Sequence, residues 1–264
     1  MASPMIIYSW NMLFRNPKLE EAFVFIQNAN ADIFCLQEVP EQFARRLREL
    51  PYHIASGSET DRFSREGVCE HHELVVLSRY PITKTQVLPL PSRDVSFSRR
   101  GKFFIWLMTR VAGWWHTGEK RDALMVELQT PAGKLQVYNL HLTLTNPQWR
   151  LEEFESALAN REIADTTIVC GDLNTVEKPH ITPLNWMFGG TLSDVFCYKR
   201  ERINLEKRFA EHTLMNPLYG KTTHSLSQSQ LDHILVSDTF SVKEASVLQN
   251  RYGSDHNPIR VQVT

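Results

Sequence analysis

The run Thr167-Ile168-Val169-Cys170-Gly171-Asp172-Leu173-Asn174 is a short apolar strand that stops at a glycine, an acid and an amide. Its first half reads as core, and its last residues place polar groups where the strand leaves the core. The same pattern recurs along the chain. Ile6 to Trp10 ends on Asn11, Ile33 to Leu36 runs into Gln37-Glu38, and Leu135 to Leu140 carries Asn139 and ends on His141. Leu231-Asp232-His233 opens another strand, and Ser254-Asp255-His256-Asn257-Pro258 precedes Ile259 to Val263. Polar side chains at strand ends can converge in one cleft without being buried in a core. Taken singly, each is ordinary turn chemistry.

Helices fall between these strands. Asn16-Pro17 offers an N-cap and a proline at the first helical position, followed by Leu19, Ala22, Phe23 and Ile26 at helical spacing. A second helix carries Phe43, Leu47 and Leu50 on one side. Asn146-Pro147 repeats the start signal ahead of Leu151, Phe154 and Leu158. Leu74 to Leu77 is a strand closed by Ser78-Arg79-Tyr80-Pro81, and Leu124 to Leu128 pairs with Leu135 to Leu140 across Thr130-Pro131-Ala132-Gly133. Strands in hairpins with a few helices set between them predict an α/β domain of two stacked sheets with helices on the outer faces.

The 264 residues suffice for one domain spanning 1–264, and no linker or repeat divides them. A net charge of −1 excludes a surface that traps nucleic acid all over, so an anionic substrate needs a local patch or a metal. Cys35, Cys69, Cys170 and Cys197 have neither disulfide-framework nor zinc-finger spacing and read as reduced thiols. With no signal-peptide pattern at the N-terminus and no apolar run long enough to span a bilayer, the expected location is cytoplasmic.

The ordered set Ser9-Trp10-Asn11, Leu36-Gln37-Glu38, Ser78-Arg79-Tyr80-Pro81, Asn139-Leu140-His141-Leu142, Gly171-Asp172-Leu173-Asn174, Leu231-Asp232-His233-Ile234 and Ser254-Asp255-His256 resembles the endonuclease/exonuclease/phosphatase superfamily over nearly the whole chain. The resemblance implies a DNase I-like four-layer α/β/β/α sandwich, with two mixed sheets flanked by helices, and metal-dependent cleavage of a P–O bond. It places His256 as general base with Asp232 as its orienter. Asp172 and Asn174 would lie beside the scissile phosphate, and His141 would donate to the non-bridging oxygens. By the same resemblance Glu73 is a candidate to orient His141.

Elementary chemistry points the same way. Mg²⁺ prefers hard oxygen ligands and needs only one or two carboxylates beside the substrate phosphate. Glu38 is the principal candidate ligand, with Asn11 and Asp255 beside it, and Mn²⁺ is a possible substitute. An imidazole suits proton removal from water near neutral pH, and a buried carboxylate fixes its tautomer. The substrate reads as a phosphodiester of nucleic acid. A phospholipid or small phosphorylated molecule is the alternative, and an inactive binding module on the same fold is a third reading that the filled catalytic positions disfavour. No obligate protein partner is implied.

Three signals are set aside. Gly220-Lys221-Thr222 resembles a P-loop tail, but Met215 stands where that loop requires glycine. Cys69-Glu70-His71-His72-Glu73 crowds zinc-ligand residue types together, yet adjacent histidines on a strand face opposite ways. Arg45, Arg46 and Arg48 read as a solvated helix face. The segment from Arg99 to Arg121 joins Phe103, Phe104, Ile105, Trp106, Trp114 and Trp115 to Arg99, Arg100, Lys102 and Arg110. It reads either as a further strand over Phe103 to Val111 with its tryptophans in the core, or as a lid whose Phe103–Trp115 aromatics meet a membrane surface or stack on bases.

Overall fold

In a computed structural model that describes residues 4–63, 69–91, 99–111, 116–117 and 121–264, the chain begins β1 (Met5–Asn11), α1 (Leu19–Asn28), β2 (Ile33–Pro40), α2 (Glu41–Arg46) and a 3-10 turn (Leu47–Glu49). It continues through β3 (His53–Phe63), β4 (Cys69–Ser78), β5 (Ile82–Pro89), α3 (Arg99–Val111), β6 (His116–Thr117), β7 (Asp122–Thr130) and β8 (Gly133–His141). Then come α4 (Pro147–Leu158), β9 (Thr167–Asp172), α5 (Pro183–Met187), α6 (Ser193–Phe196), α7 (Arg200–Glu211) and β10 (Leu214–Met215). β11 (Asp232–Ser237), β12 (Val242–Val247) and β13 (Ile259–Val263) close the order.

One sheet runs β12-β13-β1-β2-β4-β3-β6 and the other β10-β11-β9-β8-β7-β5. Among the described residues each contains one parallel pair, β1 with β2 and β8 with β9, and the other pairings are antiparallel. A parallel pair requires a crossover, which α1 and α4 supply. Ile7, Cys35, Val76, Val126, Val137, Ile168, Ile234 and Val261 pack between the sheets. Trp10, Phe34 and Val75 face α1 and α2 on one outer side, while Tyr138, Val169 and Leu235 face α4 and α7 on the other. These four layers form the DNase I-like sandwich.

Alternation along β1, β2, β8 and β9 thus sends one side chain inward and the next under a helix, which is why these strands are apolar on both faces. Asn146 caps α4, accepting from the Trp149 N–H at 3.2 Å with Pro147 next in line. The corresponding signal at Asn16-Pro17 works differently: the Asn16 carboxamide accepts from the Lys18 N–H at 2.7 Å, a turn that delays the helix to Leu19. The strand reading of Phe103 to Val111 fails, because Arg99–Val111 is helix α3. Trp114 and Trp115 lie outside the described residues, and no described helix is long and apolar enough to cross a membrane.

Candidate active site

The C-terminal ends of both parallel pairs point to the same end of the sandwich and bring Asn11, Glu38, His141 and Asp172 together. His141 and Asp172 are register partners, as are Asp172 and Asp232 in the next strand. The sheets are pinned to each other just beneath: Gln37 Nε2 donates to Asn139 Oδ1 at 2.7 Å, and Asn139 Nδ2 donates to the carbonyls of Leu36 and Val75. Because Asn139 is fully buried, these bonds satisfy groups that would otherwise be costly.

Local backbone irregularities aim the carboxylates. The β2–β4 register shifts between Leu36 and Val39, and the β3–β4 register between Ser58 and Thr60. Such bulges re-aim side chains, and they turn Glu38 and Glu59 into the cleft. Glu38 and Asn174 both sit in the left-handed region, at φ 53° and 52°, a strained setting typical of functional sites. Gly171 has φ +142°, and a Cβ there would lie 1.9 Å from the Leu140 carbonyl oxygen. Only glycine lets β8 and β9 approach closely enough to set Asp172 beside His141.

Asp172 Oδ2 is the hub. Asn11 Nδ2 donates to it at 3.1 Å, His141 Nε2 stands 3.6 Å away and His256 Nε2 3.7 Å away. Asn11 Nδ2 also reaches Glu38 Oε1 at 3.3 Å, while its Oδ1 accepts from the Leu13 N–H. Glu38 Oε2 accepts from the Phe14 N–H. Asn174 is fixed by its N–H to Asp172 Oδ1 and by Nδ2 to the Leu142 carbonyl. His256 Nδ1 lies 2.9 Å from Asp232 Oδ2, and Ser254 Oγ ties this loop to the Asn11 carbonyl.

Asp255 is placed differently from the other candidates. Its side chain is 51% exposed and faces His224 Nε2 at 3.6 Å, near His256 rather than hydrogen-bonded to Glu38. The Glu73 expectation is corrected. His141 Nδ1 pairs with Glu59 at 2.6 Å, and the other Glu59 oxygen accepts the Glu38 N–H at 2.6 Å. Sequence reading also passed over Arg121, whose Nη1 donates to the His141 carbonyl, and Thr223, whose Oγ1 accepts from the Leu231 and Asp232 N–H groups.

A family model described as Endonuclease/Exonuclease/phosphatase family matches residues 8–256, from β1 through the Asp232–His256 pair. The chain belongs to that family. No curated protein sequence matches it. An endonuclease/exonuclease/phosphatase structure from Beutenbergia cavernae superposes with a TM-score of 0.69 at 19% identity, covering 99% of this chain and 72% of that one. A Neisseria 3′ phosphatase, NExo, bound to a product DNA hairpin gives 0.61 at 14% identity, with 98% and 99% covered. D. rerio TDP2 complexed with single strand DNA product gives 0.59 at 12% identity over the full length of both chains.

In this endonuclease/exonuclease/phosphatase site the electrostatics follow from burying several carboxylates together. Burial alone would lower His256; the charges of Asp232 and Asp172 outweigh it and push the imidazole up to about 10. Burial would likewise lower His141, yet Glu59 and Asp172 hold it above its ordinary value. Desolvation raises Asp232, with His256 opposing. For Asp255 burial acts upward, but His224 and His256 outweigh it and hold the carboxyl below its usual range. The cleft is therefore an anionic pocket that retains protons on its histidines, and it offers carboxylate oxygens to a cation.

Proposed function

We propose that this chain is a divalent-metal-dependent phosphoester hydrolase, a nuclease-type phosphodiesterase that activates water with His256. The observation that carries the reading is the buried His256–Asp232 pair set 3.7 Å from Asp172, with Asn11 bridging Asp172 to Glu38. Glu38, Asp172 and Asn11 are a hard-oxygen donor set suited to Mg²⁺, or to Mn²⁺ in its place. Glu38 would hold the ion, Asn11 would join only by turning its amide over, and Asp255 would complete the wall by a side-chain rotation. The bound cation supplies charge neutralisation at the phosphate oxygens.

The remaining work falls to the protein. His256 Nε2 takes a proton from water as the water oxygen bonds to phosphorus and the P–O ester bond breaks, the leaving oxygen keeping the bonding pair and taking its proton from solvent. Asp232 holds the opposite ring nitrogen and stabilises the imidazolium so formed. Asp172 orients the attacking water, while His141 and Asn174 donate to phosphate oxygens as charge develops. With its carboxylates uncompensated His256 stays protonated at neutral pH, so the base becomes competent only when positive charge offsets Asp172.

Nucleic acid as substrate agrees with the DNA-bound structures to which the fold is similar. A second reading, a lipid phosphoester, is favoured by α3. Phe103 and Trp106 are stacked at 6.0 Å and about half exposed, Arg110 lies over Trp106, and Arg99, Arg100 and Lys102 share the helix with no acidic residue. Such helices suit an anionic membrane surface. The segment that carries α3 is rooted beside the site, where the Leu90 N–H donates to the Arg121 carbonyl and Arg121 Nη1 to the His141 carbonyl. A Mg²⁺-dependent activity panel over single- and double-stranded DNA, RNA, phosphocholine lipids and inositol phosphates tests both readings. Turnover of nucleic acid supports the first, and turnover confined to lipid or inositol phosphates supports the second. Full activity in excess chelator, or turnover unchanged in His256→Ala, overturns the mechanism.

A further inference from the structure

We propose that Asp61, Cys69 and His71 form a zinc site on the outer β3–β4 hairpin, separate from the hydrolytic cleft. Asp61 stands opposite His71 in the ladder, and Cys69 lies two residues from His71. Side chains two apart on a strand share a face, and directly opposed residues share it too. One oxygen, one sulfur and one nitrogen are thereby gathered within 4.8 Å of one another, with Asp61 Oδ1 already 2.7 Å from His71 Nδ1. Their neighbours on β4 behave as alternation requires: Glu70 pairs with Arg15 at 3.1 Å, and His72 is buried against Phe14. Adjacent histidines do face opposite ways, and the trio uses only one of them.

The donor set decides the metal. A thiolate, an imidazole and a carboxylate, with water in the fourth position, match tetrahedral Zn²⁺, whereas Mg²⁺ suits the oxygen donors Glu38, Asp172 and Asn11 of the cleft. On binding, sulfur, nitrogen and oxygen bond to the ion, and the thiol proton leaves to solvent. Asp61, Cys69 and His71 are all partly or largely exposed, so their side chains can re-space around the ion, opening the Asp61–His71 hydrogen bond, without moving the core. β3 carries Glu59 two residues before Asp61, so the ion would clamp the strand that orients His141.

The test uses the full chain stripped of metal and held in excess Mg²⁺, titrated with Co²⁺ as a spectroscopic probe and with Zn²⁺ by calorimetry. Expected are one equivalent of Zn²⁺ bound and a cobalt–thiolate charge-transfer absorption that Zn²⁺ abolishes. Cys69→Ser should lose the absorption, and both Cys69→Ser and His71→Gln should weaken Zn²⁺ binding at least about 10-fold, since even outer-shell changes cost that much. Cys197→Ser should retain both. Absence of the absorption, or its persistence in Cys69→Ser, overturns the site. Neither readout depends on turnover, so the outcome stands apart from that of the hydrolase reading.

Discussion

Replacing Asp232 with Asn removes the charge that most strongly holds the proton on His256 and leaves the shape of the site unchanged. Raising an imidazole from 6.5 to about 10 corresponds to about 5 kcal/mol of net preference for the imidazolium, at about 1.36 kcal/mol per pH unit, which is what Asp232, Asp172 and Asp255 leave after offsetting the penalty of burial. The 2.9 Å contact to a fully buried carboxylate should supply about 1.5–3 kcal/mol of this, the usual range for a hydrogen bond to a charged group. In metal-free protein the His256 titration, followed by NMR, should therefore fall toward 6.5. The stability profile should change with it. Because the folded value is raised, the wild-type contribution is fully present below pH 6.5 and is lost as pH climbs to about 10. The variant should show a shallower decline, since Asp172 and Asp255 still raise the imidazole. With Mg²⁺ and substrate, kcat should drop by roughly 10²- to 10⁴-fold, since the base loses its tautomer and its counter-charge. A variant that keeps the high His256 value, or the wild-type rate, would refute the pairing.

Glu38→Gln should abolish turnover at low Mg²⁺ and leave the folded circular dichroism spectrum unchanged; wild-type Mg²⁺ dependence would remove Glu38 from the metal assignment. Glu59→Gln keeps an acceptor for the Glu38 N–H but removes the charge on His141, so the His141 titration should shift down and kcat should fall more than KM changes; an unmoved titration would contradict the contact. Gly171→Ala should unfold the chain or lower its melting temperature sharply, because the new Cβ meets a backbone oxygen at 1.9 Å; a native melting curve would show that β8 and β9 can separate. Arg150→Ala should cost about 3–5 kcal/mol in urea unfolding, since it strands Glu201, whose oxygens take Arg150 Nε and Nη2 at 2.5 and 2.8 Å in a buried setting.

The strand-end residues were legible because an apolar run that stops at an amide or acid has few uses in a core. Asn11, Glu38, His141 and Asp172 could be named before any geometry was known. Glu59 could not. It lies where a bulge breaks the alternation of β3, and its partners are 21 and 82 residues away in sequence. The expectation for Glu73 came from the family resemblance alone; Glu73 stands opposite Ser58 in the β3–β4 ladder, and the bulge that follows Ser58 puts Glu59 at His141 instead. Helix α7 escaped notice because its buried face includes Glu201 and Arg202, charges that pair with Arg150 and Glu177 and disguise the apolar periodicity. α3 was ambiguous for another reason: a short apolar run has no period to read, and flanking cations fit strand edge or helix equally.

The closing strand has a consequence for the order of events during synthesis. β13 pairs antiparallel with β1, and His256 sits three residues before it, held by Ser254 to the carbonyl of Asn11. A ribosome-bound chain that has made everything through Asp232 already holds all the other groups assigned to the chemistry except Asp255, yet it lacks the base. Under the proposed mechanism, hydrolytic competence should thus appear abruptly rather than by degrees, at the step in which β13 docks beside β1 and carries His256 to Asp232.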